Sequence, residues 1–166
     1  GDNDLVMNAK NRVYGLLKYL KKFENEFGLL EKLESWVFIE WSKSNDLVQD
    51  VSFPSNMLYS KVKKITAKLY GDTSLEQEAN ALQQIIRKMS YTDKGFFCDN
   101  AYRRDGKLEL SGQYTESCQY YAFHTGIATP ETYPELWNCL INDFGFERKQ
   151  TGKWPEIYFA NAFIGN

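Results

Sequence analysis

Residues 54–89, PSNMLYSKVKKITAKLYGDTSLEQEANALQQIIRKM, decide the fold class of this chain. Before the Gly71-Asp72 pair, one apolar set recurs at a spacing typical of a single face of an α-helix: Leu58, Val62, Ile65 and Leu69. After the pair, a second set has the same periodicity and predicts the buried face of another helix: Leu75, Ala79, Leu82, Ile86 and Met89. Because Gly71-Asp72 is a stop signal, the stretch predicts an antiparallel αα-hairpin. Thr73 or Ser74 is the expected cap of its second helix.

Helical patterns continue on both sides of this hairpin. Residues 4–27 carry one apolar face and end at Gly28, which suits the C′ position of a helix. Residues 114–124 form another helical segment, and a Pro-initiated one runs over about 132–145. From Trp154 onward the sequence indicates the beginning of a further helix.

Residues 95–113 interrupt the helical pattern. Asp105-Gly106 lies near the centre of this stretch and has the turn chemistry of a two-residue β-hairpin loop. We therefore predict a small β-hairpin near residues 96–110.

The chain is thus predicted to be all-α, built from antiparallel αα-hairpins in one domain over residues 1–166. Helix pairs with long loops between them occur in helical solenoids and in closed α/α toroids. The sequence shows no self-repeat of about 34 residues or similar length, which counts against a regular solenoid. The irregular loops favour the toroid.

Composition narrows the function classes. A hydrophobic content of 43% is enough for one packed core, and 20 Lys and Arg against 22 Asp and Glu leave a net charge of -2. That charge gives no electrostatic support for a nucleic-acid or anionic-membrane partner. No apolar stretch approaches the roughly 20 residues that span a bilayer. Since His124 is the single histidine, a multi-histidine metal site is excluded.

The segment WVFIEWSKSND, residues 36–46, contains the most conspicuous pair of candidate residues. Glu40 can offer a carboxylate to a sugar, and Trp41 can offer a stacking surface. More often, such a pair is an ordinary exposed Glu beside a Trp of the core.

Four further positions can carry chemistry. Asn56 stands at the opening of a helix, where its amide can bind a hydroxyl-rich ligand or satisfy an orphan backbone donor. Glu116 lies in the first turn of a predicted helix, where a carboxylate also favours the helix dipole. His124 fits a charge-complementing end residue better than a catalytic one. Arg103, in the predicted hairpin, either helps to clamp an anionic ligand or belongs to a solvated tip.

The order of these segments resembles the catalytic domain of bacterial α-L-rhamnosidases. That order is a helix, the EW loop, the SNMLYSK helix, the TESCQYYA helix, a Pro-initiated helix and ANAFIGN. The resemblance extends over nearly the whole chain and rests on the order of short, individually degenerate motifs. It implies the central portion of a six-hairpin glycosidase, an (α/α)6 toroid, in the bacterial periplasm or cytoplasm.

The resemblance also implies the residues of a sugar pocket. An Asp-Trp pair of the family matches Glu40-Trp41, and its tryptophan belongs to the sugar-binding pocket. A Thr-Asn pair matches Ser55-Asn56, and a Thr-Gln pair matches the TE that opens TESCQYYA. Glu40, Ser55 and Glu116 depart from the commoner residue types, which bears on substrate class and activity. The substrate-binding candidates are Glu40, Trp41, Asn56 and Glu116.

In the family, the general acid lies upstream of the first helix found here and the general base lies downstream of ANAFIGN. Neither segment is found in this sequence, so both catalytic residues are expected outside it. Inverting hydrolysis needs two carboxyl groups roughly 6.5–9.5 Å apart, one to protonate the leaving oxygen and one to activate water. The resemblance therefore implies a parent protein that hydrolyses terminal α-L-rhamnosyl or related linkages without metal or organic cofactor. This chain alone is expected to be inactive.

Two other interpretations stay open. One is a non-catalytic helical module that binds carbohydrate or protein through its aromatic loops. The other is a different α/α-toroid family, glucoamylase-like or unsaturated-glucuronyl hydrolase, over which the EW and TES loops favour the rhamnosidase. A partial toroid exposes helix faces that neighbours normally cover, so self-association through those faces is expected.

Overall fold

The computed structural model describes residues 2–34, 37–39 and 43–142 of the chain. These residues form five α-helices: α1 (Asp2–Leu20), α2 (Phe53–Tyr70), α3 (Thr73–Ser90), α4 (Glu116–His124) and α5 (Pro134–Asn142). Three short strands form one antiparallel sheet in the order β1-β2-β3: β1 (Val51–Ser52), β2 (Asn100–Arg104) and β3 (Lys107–Leu110). The predicted helical class with a small β-excursion is confirmed. No helix in the described part of the chain has both the length and the apolar character needed to cross a membrane.

α2 and α3 form the αα-hairpin that the sequence predicts. Gly71 ends α2 in the left-handed conformation, with φ +67°, which a glycine adopts without the steric cost of a Cβ. Asp72 then caps α3, because its carboxylate accepts a hydrogen bond from the Leu75 N–H at 2.9 Å. The expectation that Thr73 or Ser74 caps this helix was therefore wrong by one or two residues.

The two helices of the hairpin differ in how their apolar residues are used. The predicted stripe of α3 is buried, since Leu82 and Ile86 are 4% and 0% exposed. On α2 the apolar periodicity marks the opposite face, because Leu58, Ile65 and Leu69 are 41%, 48% and 55% exposed. The buried residues of α2 are a mixture of apolar and polar side chains, and the polar ones are Asn56, Ser60, Lys63 and Thr66.

α1 ends seven residues earlier than predicted. It stops at Leu20 and continues as one 3-10 turn over Lys21–Phe23. Gly28 does have a positive φ of +76°, but it belongs to a separate turn built by Asn25. The Asn25 side-chain oxygen accepts from the backbone N–H groups of Phe27 and Leu29 at 3.0 and 3.1 Å. An Asx-type turn therefore replaces the last predicted helical turns.

The β-hairpin turns at Asp105-Gly106, as predicted. Both residues have positive φ, +49° and +78°, as a two-residue type I′ turn requires. β1 adds a third strand to it, with Ser52 opposite Asn100. The sequence did not predict β1, because two residues are too few to show an alternating pattern.

The core joins the helix hairpin to the sheet and to α4. Its fully buried members include Val51 of β1, Phe53 and Met57 of α2, and Ile86 of α3. α4 begins two residues later than predicted, and α5 is described only to Asn142. The predicted continuation to residue 145, the segment after Trp154, Glu40 and Trp41 lie outside the described residues.

We propose that the exposed stripe of α2 supports self-association of the chain. Replacing Ile65, which is 48% exposed, by Glu removes apolar contact area there and should lower the average mass measured by light scattering at high protein concentration. Gln77→Glu, an exposed change on α3, is the matched control and should leave that mass unchanged. A clean monomer for the unaltered chain would contradict the proposal.

Candidate functional site

The N-terminal ends of α2 and α4 meet at the start of β2. The Phe53 N–H donates to the Asp99 carbonyl at 2.9 Å, and the Asp99 N–H donates to the Gln113 carbonyl at 2.9 Å. Residue 99 thus lies between the first residue of α2 and the segment that leads into α4. The candidate site is built around this junction.

Two buried side chains fix the start of α4. Asp99 Oδ1 accepts from both the backbone N–H and the hydroxyl of Thr115, at 3.0 and 2.9 Å. Gln119 Oε1 accepts from the Phe97 N–H at 2.9 Å, while its Nε2 donates to the carbonyls of Phe97 and Thr115 at 2.8 and 2.9 Å. Sequence reasoning missed both roles, since these partners are 16 and 22 residues apart.

Glu116 is the second buried acidic residue of this junction, after Asp99. Its residue is 1% exposed and lies in the first turn of α4, as the sequence predicts. Its Oε2 accepts from the Tyr120 hydroxyl at 3.4 Å, one helical turn away. The positive end of the helix dipole stabilises negative charge at this position. A substrate-binding role for Glu116 stays a prediction.

Asn56 uses its side chain to join two backbone segments. Its Oδ1 accepts from the Leu30 N–H at 2.7 Å, and its Nδ2 donates to the Leu30 and Ser52 carbonyls at 3.1 and 2.8 Å. Asn56 is fully buried. These bonds give it the backbone-satisfying role that the sequence left open, and contact with a sugar stays a prediction.

Described residues on either side of Glu40 and Trp41 are attached to the same junction. The Tyr121 hydroxyl, on α4, donates to the Ile39 carbonyl at 3.4 Å. On the other side, Asn100 Nδ2 donates to the Ser44 carbonyl at 3.3 Å. Ile39 is therefore tied to α4, and Ser44 to the start of β2.

His124 lies at the far end of α4 from Glu116. Eight residues of α-helix at 1.5 Å per residue separate their Cα atoms by about 12 Å. Lys61 Nζ contacts the His124 carbonyl and Nε2 at 2.8 and 3.0 Å, and Arg87 donates to the Gly126 and Ile127 carbonyls at 3.2 and 2.7 Å. Cations at a helix C-terminus complement its dipole. This end of α4 is thus a structural cap, and His124 is not brought to Glu116.

Arg103 joins the β-hairpin to the loop after α1. Its Nε and Nη2 donate to the two carboxylate oxygens of Glu31 at 2.9 and 2.8 Å. Its Nη1 and Nη2 donate to Glu26 at 2.7 Å each, and Nη1 also donates to the Gly106 carbonyl at 2.8 Å. These contacts use all five N–H donors of a guanidinium. The alternative in which Arg103 clamps an anionic ligand is therefore wrong.

The charges of this cluster shift its titration. Hydrogen bonding to Arg103 lowers the pKa of Glu26 from 4.5 to about 2, and the same arginine lowers the pKa of Glu31. Both carboxylates raise the pKa of Arg103. In the part of the chain that the structure describes, no group of three or more His, Cys, Asp or Glu side chains is placed to hold a metal ion.

No protein-family model matches the chain, and no curated protein matches it. Among solved structures, a GH78 family rhamnosidase of Bacillus sp. GL1 is similar, with a TM-score of 0.73 and 17% sequence identity. The similarity covers 86% of this chain and 15% of the rhamnosidase chain. At that identity it shows the fold: the helices are arranged like part of a glycoside hydrolase.

Asn56→Ala should lower the free energy of unfolding by about 3 kcal/mol, because it leaves a buried N–H and a buried carbonyl of Leu30 without partners and removes packed atoms. Urea denaturation measures this change. Asn80→Ala, at an exposed position on α3, is the control and should stay within about 0.5 kcal/mol of the unaltered chain. A loss below about 1 kcal/mol for Asn56→Ala would show that its three bonds contribute little.

Arg103→Met should flatten the acid limb of the stability profile. The lowered pKa values of Glu26 and Glu31 add stability that is present above pH 4.5 and is lost as pH falls toward about 2. Removing Arg103 returns both groups toward their ordinary values, so melting temperature should fall less over this interval. Arg104→Met, which removes an exposed ion pair with Glu109, should keep the original slope. Equal slopes for both variants would contradict the expectation.

Proposed function

We propose that this chain forms part of a glycoside hydrolase domain that cleaves terminal α-L-rhamnosyl or related sugar linkages with inversion. The observation that carries the proposal is the structural similarity to a GH78 family rhamnosidase over 86% of this chain. The order of the EW, SNMLYSK and TES segments in the sequence supports the same family and does not depend on the structural similarity.

The chain would contribute the sugar pocket. Glu116 supplies a buried carboxylate at the junction of α2 and α4, and carboxylates accept hydrogen bonds from sugar hydroxyls. Trp41 supplies an aromatic face that stacks on a sugar ring. Glu40 and Trp41 belong to the proposed pocket through the resemblance of the EW segment alone. Asn56 completes the proposed set; because its amide is bonded to Leu30 and Ser52, contact with the sugar would require one of these bonds to be exchanged.

The cleaving groups would come from other parts of the parent protein. This chain spans 15% of the rhamnosidase chain that it resembles in fold. Inverting hydrolysis needs an acid to protonate the leaving oxygen and a base to activate water from the opposite face. We propose that both lie outside this chain, and that the reaction uses no metal or organic cofactor.

A second candidate is a non-catalytic helical module. The exposed apolar residues of α2 favour it, because Leu58, Ile65 and Leu69 lie at helical spacing and are each more than 40% exposed. A surface of this kind suits an apolar partner helix. Such a module would bind protein through α2, or carbohydrate or protein through its aromatic loops, and would cleave no glycosidic bond.

The sugar pocket and a protein-binding module differ in their response to L-rhamnose. A titration followed by tryptophan fluorescence should show saturable binding, and Trp41→Ala should weaken it by roughly tenfold, the worth of one stacked ring. Trp137→Phe is the matched control, since Trp137 packs on Phe123 at 5.1 Å between ring centroids. No response to L-rhamnose would favour the non-catalytic module.

An aryl α-L-rhamnoside tests the location of the acid and base. The chain alone should release no aryl alcohol. Saturable hydrolysis that Glu116→Gln abolishes would overturn the placement of the catalytic groups outside the chain and would make Glu116 one of them.

A further inference from the structure

Asn100 occupies a junction between three segments of the fold. It is the first residue of β2, and its backbone pairs with Ser52, whose hydroxyl caps α2. Its carbonyl accepts from the Ser111 N–H at 2.9 Å, in the segment that leads toward α4. Its fully buried side chain contacts the third segment, the turn that contains Ser44.

That side chain binds a turn far away in sequence. Asn100 Nδ2 donates to the Ser44 carbonyl at 3.3 Å across 56 residues of sequence. Ser44 is itself fully buried within the 3-10 turn Lys43–Asn45. One amide nitrogen thus fixes the turn that follows the EW loop to the start of β2.

Gln113 makes a parallel contact to Asp46, the residue after this 3-10 turn, and residues 43–46 are together called the 43–46 turn. Its Nε2 donates to Asp46 Oδ2 at 3.3 Å, and its carbonyl is bound by the Asp99 N–H next to Asn100. In both amides the oxygen is buried and finds no hydrogen-bond partner among the residues that the structure describes. Most buried polar atoms have partners, so these two amides are held by what their nitrogens bind, and both nitrogens bind the segment after the EW loop.

We propose that Asn100 is the positioning residue that holds the 43–46 turn against the α2–α4 junction and so sets the affinity of the chain for its sugar. The second half of this statement rests on the proposed function. Gln113 assists from the neighbouring segment. An amide suits both positions because it donates to the turn, whereas a carboxylate would place an acceptor against the Ser44 carbonyl or against the Asp46 carboxylate.

The test compares two amide-to-carboxylate changes in the full chain. Asn100→Asp keeps the side-chain shape but loses the donor to Ser44. Gln83→Glu is the matched control, because Gln83 is also buried, on α3, and its Nε2 lacks a hydrogen-bond partner among the described residues. Gln113→Glu is a milder variant that remains informative if Asn100→Asp fails to fold.

Hydrogen exchange measured by mass spectrometry reports the turn directly. Asn100→Asp should raise exchange of the backbone amides at 43–46 by about tenfold relative to the α3 amides, since a local opening is no longer opposed by the bond to Ser44. Gln113→Glu should do the same to a smaller extent. Gln83→Glu should raise exchange in α3 and leave the turn unchanged. Exchange at 43–46 that stays at the original rate in both turn variants would overturn the proposal.

The same variants are then titrated with L-rhamnose. Asn100→Asp should weaken binding by about fivefold or more, while Gln83→Glu binds like the unaltered chain. Faster exchange at the turn with unchanged affinity would overturn the role of Asn100 in binding. If the unaltered chain binds no rhamnose, the proposed function fails, and the hold of Asn100 on the turn is decided by the exchange rates alone.

Discussion

The carboxylate of Asp99 is the contact on which the start of α4 depends. One of its oxygens accepts from both the N–H and the hydroxyl of Thr115, and the Thr115 hydroxyl oxygen in turn accepts from the Cys118 N–H. The cap of α4 is therefore oriented by a residue on a different element. Because Glu116 directly follows Thr115, the placement of the buried carboxylate in the candidate site follows from Asp99. Removing it would leave buried donors without a partner, which costs more than the net value of the bonds themselves.

The local parts of the fold could be predicted from the sequence. The α3 stripe, the Gly71-Asp72 stop and the Asp105-Gly106 turn each depend on residues within a few positions of one another, and each is present. The position of Glu116 in a first helical turn is a local property of the same kind. Asp99, Gln119 and Asn100 escaped prediction because their partners lie 16, 22 and 56 residues away. No periodicity in a single sequence carries that information.

The apolar periodicity of α2 predicts a helix correctly but does not identify the face of that helix that is buried. Lys63 is 4% exposed, and its Nζ lies 2.8 Å from Glu24 and 3.1 Å from Glu78. The same ammonium lies over the Tyr59 ring, whose hydroxyl donates to Glu24 at 3.0 Å. A buried charge is tolerated only with such partners, so this network ties α2 to the loop after α1 and to α3. The apolar stripe faces outward, while the buried side of α2 combines these polar contacts with the core residues Phe53 and Met57.

The N-termini of α2 and α4 both carry partial positive charge, but different side chains lie beside them. At α2, Ser52 accepts from the Ser55 N–H at 3.3 Å, so a neutral hydroxyl serves the first turn. At α4, Thr115 caps the helix and Glu116 follows it in the first turn. An acidic residue thus lies in the first turn of α4, where negative charge complements the helix dipole, whereas the first turn of α2 contains none.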